Sequence, residues 1–295
     1  MFTIHTHPSL IPKTMKKILT ILSVFIVFAL HAQVLAPKHE NVRIPDLKTK
    51  TIFFVLPGGD TDKDFRDMVS KTWTITPFKI ITQEEITQNL STKNVFFTNA
   101  YAISNGFNGA GSLTSSSEYM MWCPRQKMVD RGKEIKNLDI SFVEPYFTIK
   151  IEGDYWYAGI FKNFLQQMQD YMTTYLAKGK ADVVSDPAKI ADLKSSTLYV
   201  PDYVLKKEKA ADLFSKYTGK YEVVSSEALN KKIMAGENIY YLLTCIYGKN
   251  CKIISVINSK TGQLVYNSLD AKPTYPYLRK DDIADISKEA EKAGK

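Results

Sequence analysis

The hydrophobic positions of this chain fall into short apolar runs and helical stripes that alternate in a regular order. Residues 51–56 (TIFFVL) form a run of strand character, and Gly58, Gly59, Asp60 and Asp62 follow as a turn. Residues 65–73 (FRDMVSKTW) place Phe65, Met68, Val69 and Thr72 on one helical face. Pro77 leads into a second strand at 78–82 (FKIIT). Thr82 and Glu85 have the spacing of a capping box for a short helix over 84–90, and 94–100 (NVFFTNA) reads as a third strand. Strand, helix, strand, helix, strand is the order of an α/β unit.

The same order returns after a period of about 144 residues. Residues 197–200 are the strand and 209–217 (KAADLFSKY) the helix, with Phe214-Ser215-Lys216 in the place of Val69-Ser70-Lys71. Residues 221–225 match 78–82, Glu227 opens a helix as Glu84 and Glu85 do, and 238–244 match the third strand. Beyond that strand the two copies are expected to diverge. The second continues into a hairpin, 252–257 with 263–267, turning across Asn258 to Gly262. The first carries an insertion: a Gly/Ser-rich loop at 104–117 (SNGFNGAGSLTSSS), then strand candidates at 119–122 and 140–151. Residues 159–178 form the longest predicted helix, its apolar residues at helical spacing from Ile160 to Leu176, and Gly179 is placed to cap it. Residues 180–196 are polar, contain Pro187 and read as a linker. The charged tail 281–295 reads as a helix with Ile283 and Ile286 on one side, packing weakly.

The fold class implied is α/β, with two related lobes of mixed sheets and flanking helices. The first spans 48–178, a linker 179–195, and the second 196–295. Two such lobes imply a cleft or a shared surface between them.

The N-terminal region has a different pattern. Met15-Lys16-Lys17 is a short basic segment, Ile18 to Leu30 an apolar run of 13 residues, and Ala32 a small residue suited to cleavage before Gln33. This is the order of a secretory signal peptide over 15–32, and the run is shorter than the roughly 20 residues a membrane span needs. Residues 1–14 are then an upstream extension, Met15 the start, and 33–47 a polar leader. The ending Leu30-His31-Ala32-Gln33 resembles signal peptides of the Bacteroidota, and the chain after it resembles the uncharacterised secreted proteins of that group. The resemblance implies periplasm or outer envelope and carries no functional residue.

Removing 1–32 takes away Lys13, Lys16 and Lys17 and no acid, so the formal charge of +8 falls by 3 to +5. A mild, dispersed positive charge is not the clustered footprint that nucleic-acid binding needs. Of four histidines (His5, His7, His31 and His39) only His39 lies beyond the signal, and it precedes the first strand of the repeat. A nucleophilic triad needs a fixed imidazole, and a transition-metal site needs histidines or several thiolates. No catalytic residue, metal-ligand set or cofactor is therefore expected. Asp60-Thr61-Asp62-Lys63-Asp64 opens like a calcium loop, but Phe65 and Lys71 stand where that loop needs Gly and Glu, so a helix-capping turn is the reading. Gly58-Gly59 lacks the company of a phosphate-binding motif.

Three cysteines remain. Cys245 and Cys251 flank Tyr247-Gly248-Lys249-Asn250, a hairpin turn across which facing positions can approach disulfide range. Trp122-Cys123-Pro124-Arg125-Gln126 resembles the thioredoxin-like WCxxC site, but Gln126 occupies the resolving position, so Cys123 reads as a buried structural cysteine. Trp122, Tyr155, Trp156 and Tyr157 are the candidate binding residues, able to line a groove for a glycan or peptide or to fill the seam against the long helix. The functional expectation is an exported, non-enzymatic envelope protein that binds another protein or a cell-wall glycan through the lobe interface or the Gly/Ser loop. A carboxylate-dependent glycan-acting enzyme using Glu144, Glu152 or Asp154 is the alternative, and a self-assembling structural module the third.

Overall fold

A computed structural model describes residues 34–35, 44–99, 116–130, 143–152, 157–179, 186–205, 208–247, 251–270 and 277–294. The first lobe is built from β1 (Val34–Leu35), β2 (Thr51–Val55), α1 (Asp62–Thr72), β3 (Phe78–Ile81), β4 (Asn94–Asn99), β5 (Ser116–Pro124), α2 (Gln126–Asp130), β6 (Val143–Glu152) and α3 (Ala158–Lys178). The second comprises β7 (Thr197–Pro201), α4 (Ala210–Leu213), β8 (Lys220–Val224), α5 (Ser226–Met234), β9 (Tyr240–Tyr247), β10 (Cys251–Asn258), β11 (Leu264–Asp270) and α6 (Lys280–Ala293).

The two sheets share one topology. Their strand orders are β1-β6-β5-β4-β2-β3 in the first, sheet A, and β11-β10-β9-β7-β8 in the second, sheet B. Apart from the edge strand β1, which pairs antiparallel with β6, each sheet has a leading strand (β2 or β7) parallel to the next two, and two antiparallel strands follow. The likeness therefore runs past the third strand, where divergence was expected: β5 and β6 occupy the places of β10 and β11, and α3 follows the first set as α6 follows the second. What differs is the connection between the third and fourth strands, residues 100–115 in the first lobe and 248–250 in the second.

Strand periodicity divides the apolar residues between faces. Ile52, Phe54, Val95, Phe97, Tyr119 and Met121 face α1 and α3. Phe53, Val55, Phe96, Met120 and Trp122 face the other way, toward Ile81, Ile86 and Met128. In the second sheet Tyr241 and Leu243 face α3, while Tyr240 and Leu242 face α6.

Helix α3 is the layer the lobes share. Ile160, Phe161, Asn163, Phe164, Leu165, Gln167, Met168 and Met172 are all buried, a pattern too broad for a one-sided surface helix. One apolar core runs from sheet A through α3 to Leu229 and Ile233 of α5 and to the near face of sheet B. Gly159 permits this approach: a Cβ there would stand 2.8 Å from the Cβ of Ile233. Gly179 adopts the left-handed conformation (φ 69°) that ends α3, its N–H donating to the Tyr175 carbonyl at 2.7 Å.

Several segments pack more firmly than their polarity implied. Ile44 and Leu47 of the polar leader are buried in the shared core, and Val34–Leu35 pairs with β6. The linker contains a 3-10 helix, Pro187–Lys194, that buries Ile190 and Leu193. Helix α6 does not pack weakly: Ile283, Ile286 and Ala290 are buried, and Asp282 forms a buried ion pair with Lys252 of β10 at 2.5 Å. The sequence of α6 shows the apolar stripe but not the lysine it meets. The expected helix over 84–90 is a turn followed by one 3-10 turn, Thr87–Asn89, with Glu85 accepting the Thr82 N–H at 2.7 Å.

Candidate functional site

Trp122 and Tyr157, the two aromatic candidates among the described residues, do not share a groove. Trp122 is fully buried on the face of sheet A opposite α3, stacked on Phe96 at 4.8 Å, its Nε1 donating to Thr98 Oγ1 at 3.0 Å. Tyr157 precedes α3 and packs partly buried against the shared core, on the other side of the sheet. These two candidates are therefore separated by the sheet, because Trp122 sits at an even step of β5 that points away from α3. Tyr155, Trp156, Ala32 and Gln33 lie outside the described residues.

The two cysteines of the second hairpin are not facing positions. Cys245 stands opposite Ile253, and Cys251 opposite Tyr247. Diagonal positions in a regular ladder lie about 7–8 Å apart, beyond the roughly 3.5–4.5 Å between Cβ atoms of a disulfide. The carboxylate candidates Glu144 and Glu152 occupy one strand, eight residues apart, which is about 26 Å along its axis. A glycosidase pair works within about 10 Å, so these two cannot flank one bond. Asp154 lies outside the described residues.

The lobe interface is filled. Asn163 of α3 accepts from Tyr241 Oη at 2.8 Å and donates to the Ser259 carbonyl at 2.8 Å. Gln167 donates to the Gly262 carbonyl at 2.7 Å, and Asn230 of α5 accepts the Gly159 N–H at 2.7 Å. Burial holds the Tyr241 phenol well above its ordinary pKa, so it stays a donor. Polar groups here close the seam between the lobes.

Strands β2 and β4 of sheet A are parallel and finish at the same end of the sheet. Strand β2 leads into Pro57-Gly58-Gly59, and β4, its parallel neighbour, leads into residues 100–115, which return as β5. The chain runs from β2 outward to β3, then back across β2 to β4, so the strand order reverses between β2 and β4. Open α/β sheets place ligands outside the carboxyl ends of strands at such a reversal. Gly58 (φ 96°) and Gly59 (φ 73°) both have backbone angles that favour glycine, and a Cβ on either would meet nothing within 4 Å. Gly58 N–H donates to Asp62 Oδ1 at 2.8 Å and Thr61 Oγ1 to the Gly58 carbonyl at 3.1 Å, which holds the turn against the start of α1. Asp60 and Asp64 are exposed beside it. The second lobe has Pro201 and the 3-10 helix Asp202–Leu205 at the matching place, and three residues in place of the long loop.

The glycine turn and the start of the Gly/Ser loop are far apart in sequence, and the strand order sets the exit of β4 beside the turn that follows β2. Among the described residues no group of three or more His, Cys, Asp or Glu could hold a metal ion, and no helix is long and apolar enough to cross a membrane. No family model, curated protein or solved structure matches this chain.

Proposed function

We propose that this protein is an exported, non-enzymatic envelope protein that binds another protein or a cell-wall polymer through the carboxyl end of sheet A. The observation that carries this reading is an asymmetry between two lobes of one topology. Only the first has a glycine turn after its leading strand and a long Gly/Ser-rich connection following the neighbouring strand β4. Long connections on a rigid scaffold are where binding function concentrates. The filled lobe interface leaves this edge as the better of the two surfaces expected from sequence.

Export rests on the basic, apolar, small-residue order of 15–32. The separation of Glu144 and Glu152 weakens the carboxylate-enzyme alternative. Self-assembly by continued stacking of lobes is weakened by α6. It holds the place of α3 but exposes Asp281, Asp285, Lys288 and Glu289, as a terminal repeat does.

The test is a crosslinking pull-down of tagged chain from its native envelope, beside a variant with residues 100–115 replaced by Gly-Lys-Asn, the sequence of the short connection. One partner recovered with the native chain and lost with the folded variant supports the reading. Equal recovery by both sinks it. N-terminal sequencing of the exported chain, expected to begin at Gln33, tests the compartment.

A further inference from the structure

Sheet B ends at β8 (Lys220–Val224), which pairs in parallel with β7 and, among the described residues, with no other strand. Its outer edge presents backbone N–H and C=O groups of alternate residues with no strand beside them. Side chains alternate between the faces of a strand. Lys220 and Glu222 share one face and are exposed, and Tyr221 lies on the other, half-buried. The Tyr221 ring stacks on Phe214 at 4.2 Å and meets Tyr217 edge-on at 6.4 Å, so its position is set within one copy of the chain. Neither Lys220 nor Glu222 has an ion-pair partner among the described residues. Lys232 of α5 feels the Glu222 charge, but its ion pair is with Glu237, at 3.2 Å.

Two other edges are guarded. Strand β3 takes the place of β8 in sheet A and carries Lys79 as its one charged residue. A lone lysine on an edge strand opposes pairing with another edge. At β11 the Leu264 carbonyl already accepts the Asp186 N–H at 2.8 Å, and the one charged side chain, Asp270, is paired with Arg279. Strand β8 carries both signs instead, two residues apart. Two copies of β8 laid antiparallel about a two-fold axis at Tyr221 set Lys220 opposite the second copy's Glu222, and Glu222 opposite its Lys220. On the other face Tyr221 stands opposite Tyr221 of the second copy, and Val223 opposite Gly219, which has no side chain to crowd it. Charge selects this register. Moving the axis to Glu222 or to Lys220 sets two like charges directly opposite each other.

We propose that the chain forms a two-fold dimer through β8, which joins the sheets B of two copies edge to edge. The occupant of this edge is a second copy because β8 is complementary to itself at one register and repels itself at the neighbouring ones. Backbone hydrogen bonds between the edges supply an attraction that any extended strand could give. The Lys220–Glu222 pairs and the Tyr221 contact restrict it to this strand. A two-fold contact occupies the same edge of both copies and closes at two. It is therefore distinct from the open-ended stacking of lobes that α6 terminates, and it is independent of the binding edge of sheet A.

The test follows the mass of the purified chain in solution by sedimentation velocity over a range of concentrations. The native chain is expected to pass from one copy to two as concentration rises. Glu222→Lys and Lys220→Glu, each alone, set like charges opposite at two symmetric positions and are expected to dimerise about tenfold more weakly. An equimolar mixture of these two variants restores opposite charges at both positions and is expected to associate as the native chain does. The double reversal Lys220→Glu/Glu222→Lys is expected to do the same. Both residues are exposed, so circular dichroism should show every variant folded. A native chain that stays monomeric at all concentrations, single reversals that dimerise as tightly as the native chain, or a mixture no tighter than its components overturns the proposal.

Discussion

Tyr241 of β9 donates its phenolic hydrogen bond to Asn163 Oδ1 of α3 across 2.8 Å, and this bond ties the central strand of one lobe to the longest helix of the other. Both residues are fully buried. The same Asn163 amide donates to Gln166 Oε1 at 2.7 Å and to the Ser259 carbonyl, so one side chain engages α3, β9 and the β10–β11 turn.

Removing one partner should cost more than the bond itself, because the other is left buried without it. Tyr241→Phe is expected to destabilise by about 1–3 kcal/mol, and Asn163→Ala, which removes the partner of Tyr241, the Ser259 carbonyl and Gln166, by more. Urea unfolding followed by circular dichroism measures this. Since one core spans both lobes, the native chain should unfold in a single transition. Two separate transitions would show that the lobes are energetically independent.

Lys252 and Asp282 form the buried pair that holds α6 on sheet B, and Asp282 Oδ2 also accepts the Arg279 N–H at 2.7 Å. Lys252→Met is expected to destabilise by at most about 3–5 kcal/mol, because the buried carboxylate keeps only the partly exposed Arg279 guanidinium, 3.3 Å from its other oxygen. Adding Asp282→Asn should recover part of that loss, because the amide oxygen can still accept at the start of α6. A double mutant no more stable than Lys252→Met would show that the loss comes from packing rather than charge.

Alkaline pH should unfold the protein through its tyrosines. Burial raises Tyr217, Tyr240 and Tyr266 to about 12, and Tyr240 also donates to Asp192 Oδ2 at 2.6 Å. The folded pKa lies above the unfolded value of about 10, so the folded state holds these protons longer. The stabilisation is complete below pH about 10 and lost as pH rises toward 12. Tyrosinate absorbance in that window should rise together with loss of helical circular dichroism; ionisation of all tyrosines without unfolding would contradict it.

The diagonal register of Cys245 and Cys251 has a direct consequence for thiol counting. Chain recovered from an oxidising compartment and denatured without reductant should carry no disulfide between Cys245 and Cys251 among its 3 cysteines. A peptide joining Cys245 to Cys251 would require a local register different from that described.

Gly159→Ala probes the contact between α3 and α5. Its added methyl would fall 2.8 Å from Ile233 Cβ, too close to fit without moving a helix. A loss of about 1–3 kcal/mol is expected despite the better helix propensity of alanine. Adding Ile233→Ala should relieve the clash and restore part of the lost stability.

Most of the regular elements were legible in the sequence because they follow from local periodicity. The run at 51–56, the stripe Phe65, Met68, Val69, the cap at Gly179 and the returning order after about 144 residues each report which face a segment buries. Such patterns say that a residue is buried but not against what. Trp122 and Tyr157, close in composition and purpose on paper, fall on opposite faces of one sheet because strand parity separates them. The weak stripe of α6 becomes a firm contact through Lys252, 30 residues away.

The amino-acid sequence by itself determined the α/β class, the doubled order of elements and the lack of histidine after His39, since these depend on residue types and spacings of a few positions. Tertiary structure alone decided that α3 lies between the sheets, that the glycine turn and the exit of β4 share one edge, and that Lys50 meets Cys123 and Tyr146 across 73 and 96 residues. The physical reason is that these juxtapositions depend on strand order and on a one-residue bulge at Tyr146 of β6, which carry no local periodic signature and arise only when distant faces are buried together.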